Sequence, residues 1–285
     1  MRRTLLPLSC DTHFHVIDSR YPTIAKPMVP VDPASQADYE QFCATVGIQR
    51  SVIVQPSFYG TDNRCLLESL AQAKHAMRGI AVVDTQVGDA ELEALHRAGV
   101  RGVRFNQIQF GATAMDEMRE IAARVRPLGW HIQLHMRAEQ LAAHADTLRA
   151  LPVPLVIDHL GRARPPTRHS DPGWTLLKQL LGEGNTWVKV SGPYHESLQG
   201  APRYADFTEM ADELVQLAPD RLFWASDWPY GSETVKPALD PIVDTFWDVV
   251  RDDADLAFRI LVRNPGEFYG LSLIHISEPT RPLYI

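Results

Sequence analysis

The chain is expected to fold as an α/β protein, a single (β/α)8 TIM barrel, on three observations. Its 285 residues are close to the roughly 250 typical of one closed α/β barrel. Eight short β-branched or apolar runs recur along it, each followed by a stretch with apolar residues at helical offsets, as βα units around a parallel sheet require. Several of these runs end on ionisable residues, which is where a barrel assembles its site.

The strands are read as Leu8 to His15, Ser51 to Gln55, Gly79 to Val83, Gly102 to Asn106, His131 to His135, Leu155 to His159, Trp187 to Ser191 and Leu222 to Asp227. Helical spacing covers Asp38 to Val46, Arg64 to Ala76, Glu91 to Ala98, Met115 to Arg126, Ala138 to Ala150, Trp174 to Gly182 and Tyr204 to Ala218. A doubly wound open sheet is the competing architecture, but no GxGxxG follows the first strand. Pro27 to Pro33 and Arg162 to Pro172 read as loops for their proline content. Each follows a strand, so a barrel puts both on its catalytic face. The domain is expected to span residues 1–271. Residues 272–285, SLIHISEPTRPLYI, resemble the translated read-through of a sequencing adapter, and NPGEFYGL before them already reads as an end. They are expected to be a non-native tail, and His275 is left out of the functional reading.

A 45% hydrophobic and 22% charged composition is ordinary for a chain that buries a large core, and disorder is not indicated. The net charge of −7, with no run of lysine and arginine longer than a pair, argues against a nucleic-acid partner. Cys10, Cys43 and Cys65 fit no CxxC spacing, and their odd number argues against a disulfide framework, so a reducing cytoplasm is expected. The apolar stretch at the start breaks at Pro7, too short for a secretory core, and no segment has the roughly 20 apolar residues of a membrane span.

The sharpest local feature is His13-Phe14-His15 at the end of the first strand. Residues i and i+2 of a strand point to one side, so both imidazoles are expected to enter the barrel mouth. His135 closes the fifth strand, His159 the sixth and Asp227 the eighth. A satisfied polar strand end is the plainer reading for any one of these. Together they describe a cavity lined by ionisable groups, which catalysis needs and a packed core avoids. Arg104 and Asn106 end the fourth strand, Ser57 follows the second, and Tyr194 and His195 follow Ser191 on the seventh. Arg104 suits a substrate carboxylate, since a guanidinium can contact one with two parallel hydrogen bonds. His131 and Asp158 read as structural.

With these residues placed, the sequence resembles the amidohydrolase-related barrel hydrolases, and within them the lactonase branch that includes 2-pyrone-4,6-dicarboxylate hydrolases. The matching stretches, over residues 8–271, are CDTHFHVID, VIVQPSFYGTDN, GVRGVRFN, WHIQLH, LVIDHLGR, WVKVSGPYHES, LFWASDWP and NPGEFYG. The resemblance implies that Asp227 is the general base, that His13, His15 and His159 line the site, and that Arg104 binds an acidic group with help from Ser57. The dicarboxylate lactonases carry further arginines where this chain reads QIQFGA and PYHES. Fewer fixed positive charges suit a monocarboxylate or sugar-derived lactone; His195 could supply a donor there, and Arg162 and Arg164 are candidates to reach the pocket.

The same histidines and Asp227 have the donor types of a hydrolytic zinc site. The lactonase branch also includes enzymes that need no metal, so the expectation is either no cofactor or one divalent metal, with zinc first. No lysine ends the fourth strand to bridge two ions, which disfavours a binuclear centre. The leading expectation is a hydrolase opening a carboxylate-bearing lactone, in aromatic or sugar-acid catabolism, with a small acidic substrate and an assembly of identical subunits left open. A zinc-dependent nonoxidative decarboxylase of the same superfamily is the alternative, and a barrel that only binds a metabolite is the third.

Overall fold

The computed structural model describes residues 3–24, 32–109 and 113–271. The proposed tail and most of the Pro27 to Pro33 loop lie outside these residues. Eight strands are present: β1 (Cys10–Phe14), β2 (Arg50–Val54), β3 (Ala76–Ala81), β4 (Val100–Asn106), β5 (His131–His135), β6 (Leu155–Ile157), β7 (Thr186–Val190) and β8 (Leu222–Trp224). Each pairs in parallel with the next, in chain order. Phe14 of β1 then bridges Trp228 beyond β8, so the sheet is a barrel and not an open doubly wound sheet. Two hydrogen bonds hold this seam: the His15 amide donates to the Trp228 carbonyl and the Asp227 amide to the His13 carbonyl, both at 2.9 Å.

The helices are α1 (Gln36–Val46), α2 (Arg64–Gln72), α3 (Asp89–Arg97), α4 (Met118–Val125), α5 (Ala138–Leu141), α6 (Ala145–Arg149), α7 (Pro172–Glu183), α8 (Ala205–Leu217), α9 (Leu239–Val249), α10 (Ala254–Phe258) and α11 (Asn264–Phe268). Their ends follow local chemistry. Ser35 and Asp38 form a reciprocal capping box at the start of α1, and Gly47 ends it in the left-handed region. Asp171 caps α7, with Pro172 at its first position. Ala138 to Ala150, one helical run by periodicity, divides into α5 and α6 around a 3₁₀ turn at Ala142–His144. So short a turn hardly alters side-chain spacing, which is why periodicity does not register it. The three helices after β8 lie beyond the helical runs read from sequence. Among the described residues, no helix is long and apolar enough to cross a membrane.

Strand β1 departs from simple alternation in a way that matters for the site. Asp11 pairs with Ser51 and Phe14 with Ile53, so three steps on β1 match two on β2. This irregularity lets Cys10 join the inner cluster of Val52, Ile80, Val156 and Phe223 while Phe14 points outward to stack on Tyr39 at 3.4 Å. His13 thereby turns inward, the re-aiming that bulges perform beside active sites. Tyr269 and Leu271 complete the inner cluster.

Asp11 ties the seam together. Its fully buried carboxylate accepts from the Ser226 amide (2.9 Å) and hydroxyl, the His13 amide (3.2 Å) and the Tyr39 hydroxyl (2.9 Å). Asp11→Ala would leave these buried donors without their acceptor, at about 1–3 kcal/mol for each one left unmet. Because a chain of this size loses roughly 2–4 °C per kcal/mol, calorimetry should find the melting temperature lowered by about 10 °C. An unchanged melting temperature would mean that the backbone pairing alone closes the barrel.

Candidate active site

The C-terminal ends of the strands open on a cavity lined by His15, Arg104, His135, His159, His195 and Asp227. At its floor stand His15 and His159, with His13 fully buried beside them and outside the lining. Their Nε2 atoms converge on Asp227: His13 Nε2 is 3.2 Å from His15 Nε2, and the three nitrogens are 3.7, 4.0 and 3.7 Å from Asp227 Oδ1. The other Asp227 oxygen accepts a short hydrogen bond from the Tyr194 hydroxyl and lies 3.3 Å from His195 Nε2.

Each of the three imidazoles is oriented from behind. His15 Nδ1 is 2.7 Å from the Val54 carbonyl, which can only accept, so its proton is on Nδ1 and the Nε2 lone pair faces the cavity. His159 Nδ1 meets the Ser191 hydroxyl at 2.8 Å. His13 Nδ1 faces Asp158 Oδ1 at 3.3 Å and Lys189 Nζ at 3.2 Å. Lys189 and Asp158 are themselves 3.2 Å apart and fully buried, and Gln133 donates to Asp158 at 3.1 Å. Asp158, structural by the sequence reading, therefore lies directly beneath the site. Lys189 is a residue that sequence reasoning missed. Its signal is a lysine inside the otherwise apolar strand TWVKV.

Burial lowers His13 to about 4 and His15 to about 3, and it lowers His159 well below the usual imidazole range. These rings are neutral and can offer lone pairs. Burial works to raise Asp227, but a proton on a neighbouring ring, His159 foremost, and the contact with His195 favour the carboxylate and hold it well below its ordinary range. Two trios that share Asp227, His13 with His15 and His159 with His195, each place their donor atoms within 4.8 Å of one another and could hold a cation. Ligands about 2.0–2.1 Å from a tetrahedral zinc stand roughly 3.4 Å apart, near the separations here, and each histidine has the outer partner that metal-binding imidazoles need. His195 Nε2 also lies within 4.8 Å of Asp227 and His159 donor atoms.

Backbone strain is concentrated here. His159, Leu160, Gly161 and Arg162 have φ of 51, 50, 64 and 49°, one left-handed turn directly after β6, and Asp227 has φ 59°. A non-glycine residue so placed costs about 1–2 kcal/mol, and such costs persist where surrounding structure enforces them. Gly192, at φ 65°, is needed for close approach, since a Cβ there would meet His195 Cδ2 at 2.4 Å.

Arg104, Asn106, His135 and His195 line the cavity as expected from sequence. Ser57 and Tyr194 do not appear in its wall: Ser57 accepts from Asn106 Nδ2 at 2.8 Å, and Tyr194 serves Asp227 from behind. Arg104 donates to the Gln55 carbonyl at 3.3 Å, while its Nε has no hydrogen-bond partner among the described residues. Arg162 does not line the cavity. Its Nε and Nη2 donate to Glu196 Oε1, and its Nη1 meets His135 Nε2 at 3.3 Å. Arg164, half-exposed, is 3.7 Å from the other Glu196 oxygen. Phe58, Gln109 and Ser232 also line the cavity and carry no sequence pattern that marks them.

The amidohydrolase model Amidohydro_2 matches residues 10–271. The 2-pyrone-4,6-dicarboxylate hydrolase of Comamonas testosteroni is 32% identical over 271 residues, covering 91% of this chain and 89% of its own. The 4-sulfomuconolactone hydrolase of Rhizobium radiobacter is also 32% identical, covering 92% and 89%. A crystal structure from Acinetobacter baumannii, designated a probable 2-pyrone-4,6-dicarboxylic acid hydrolase and holding citric acid, superposes with a TM-score of 0.80 at 27% identity, over 92% of this chain and 99% of that one. With the family match covering the whole barrel from β1 to Leu271, this chain belongs to the amidohydrolase family.

Proposed function

We propose that the protein hydrolyses the ring ester of a small lactone that carries a carboxylate, with residues 1–271 as the catalytic domain and residues 272–285 as a non-native tail. The observation that carries this reading is the meeting, in one cavity, of Asp227 with His15, His159 and His195 around it and of Arg104, which is 3.9 Å from Asp158 and whose Nε makes no hydrogen bond among the described residues. The two relatives named for lactone hydrolysis support it. They do not favour the decarboxylase alternative. Three free, buried cysteines support the reducing, cytoplasmic setting expected from sequence.

In this reading Arg104 holds the substrate carboxylate and orients the ester carbonyl toward the histidines. Asp227 takes a proton from water as its oxygen attacks the carbonyl carbon. The imidazoles and Arg104 surround the oxygen on which negative charge develops. The ring C–O bond then breaks, and the departing oxygen takes the proton that Asp227 holds, leaving a hydroxy or enol acid and restoring the carboxylate. His13, His15, His159 and Asp227 would hold a divalent cation, zinc by donor type, which would supply Lewis-acid polarisation and acidify water.

Asp227→Asn keeps the side-chain size but removes the basic lone pair. We expect kcat for a carboxylated lactone to fall by about 10²-fold to 10⁴-fold with the melting temperature nearly unchanged. A kcat within a few-fold of the parent would move the base elsewhere, and His159 would be tested next. Arg104→Met should raise KM for a carboxylated lactone far more than for an uncharged analogue, whereas equal losses would make Arg104 structural. Dialysis against zinc followed by elemental analysis should load about one ion per chain in the parent, and none in a His13→Gln, His15→Gln double variant. Full retention by that variant would place the cation outside the cluster.

A further inference from the structure

His135 stands between two guanidinium groups. Arg162 Nη1 is 3.3 Å from its Nε2, and Arg104 Nη2 is 3.5 Å from its Nδ1. A guanidinium only donates, and a neutral imidazole has a single lone pair, so His135 can accept from one of these arginines and not from both. With a guanidinium at hydrogen-bond range of each ring nitrogen, a third positive charge on His135 is disfavoured and the ring is neutral.

The shorter of the two contacts is the one from Arg162. Arg162 is locked, its Nε and Nη2 both donating to Glu196 Oε1 at 3.1 and 2.8 Å, which aims Nη1 at His135. Glu196 is held in turn by Arg137 at 2.8 Å. The left-handed turn fixes the relation to the floor of the site: His159 and Arg162, three residues apart, leave it on a common face, one toward Asp227 and the other toward His135. Arg104 is the looser of the two, with an unpartnered Nε and the longer contact.

We propose that Arg162 is a positioning residue: by donating to His135 Nε2 it keeps the imidazole proton on Nδ1, so that His135 Nδ1–H and the Arg104 guanidinium form a two-donor cradle for one substrate carboxylate. With the His135 proton on Nδ1, that N–H and Arg104 Nη2, 3.5 Å apart on two residues that line the cavity, find no acceptor in each other. A carboxylate oxygen seated there accepts from both, and its charge meets Arg104 directly. Arg162 itself, paired with Glu196 and outside the cavity lining, orients this subsite without touching the ligand. The inference rests on the lactone-hydrolase reading for the identity of the ligand, but the placement of the proton does not.

The test is a ¹⁵N spectrum of histidine-labelled protein, with His135 assigned by its loss in His135→Gln. In the parent, Nδ1 should carry the pyrrole-type shift of a protonated nitrogen and Nε2 the pyridine-type shift. Arg162→Met, which cannot donate, should move the proton toward Nε2 and raise KM for a carboxylated lactone by about tenfold, the loss of roughly one well-formed charged hydrogen bond. The kcat and the KM of an uncharged lactone should stay put, and Arg162→Lys, which still donates, should restore both readouts. A parent spectrum with the proton on Nε2, or an Arg162→Met protein that keeps it on Nδ1, overturns the proposal. If Arg162→Met does not fold, the parent spectrum still decides. Absence of lactone turnover in the parent, with the proton found on Nδ1, would overturn the substrate reading and leave the role of Arg162 standing.

Discussion

The hydrogen bond from the Asp227 amide to the His13 carbonyl closes the barrel and, in the same contact, sets the carboxylate that follows β8 against the histidine pair at the end of β1. These residues lie more than two hundred positions apart, so their meeting depends wholly on closure. Asp11 reinforces it by taking donors from both sides of the seam. Because the seam is short, the irregularity in β1 that turns His13 inward is held by buried polar contacts and not by a long ladder. Barrel stability and site geometry are therefore one constraint.

Beneath the cluster, Asp158 and Lys189 form a fully buried ion pair. Desolvation makes such pairs weak contributors to stability and costly to half-remove. Their placement against His13 Nδ1 accounts for them better: charged neighbours at hydrogen-bond range fix the ring where apolar packing would leave it free to rotate. Lys189 falls to about 8 through burial, yet Asp158 beside it is held well below the carboxylate range by the Lys189 charge first and by the His13 hydrogen bond, despite its own burial. The pair thus keeps opposite charges under a neutral imidazole.

The left-handed turn after β6 gives the other half of the site its form. An ordinary right-handed exit would carry the chain from β6 with different side-chain directions. The left-handed turn presents His159 to Asp227 and Arg162 to His135 at once, and Gly161 fits in it where a Cβ would meet Leu177 at 2.8 Å. One strained turn joins the Asp227 end of the cavity to the wall that carries His135.

Eight strands, their order along the chain, and the ionisable residues at their ends were legible in the sequence, because strand periodicity and apolar runs are local and the ends of barrel strands share one face. His13, His15, His159, Asp227, Arg104 and His135 could be picked out on that basis alone. Ser57 and Tyr194 were legible as site residues but not as residues behind the wall, since depth depends on the neighbour that covers them. Lys189 and Asp158 needed the tertiary structure. A charged residue within an apolar strand gives no sign of its partner, and the pairing arises only when β1, β6 and β7 face inward together. The same holds for Arg162: three arginines in nearby loops look alike in sequence, and only the three-dimensional position of Glu196 decides which one reaches His135 and which remain at the surface. The sequence determined the fold and the chemistry of the strand ends, through local patterns; the tertiary structure decided orientation, depth and proton placement, because these are set by contacts between residues far apart in the chain.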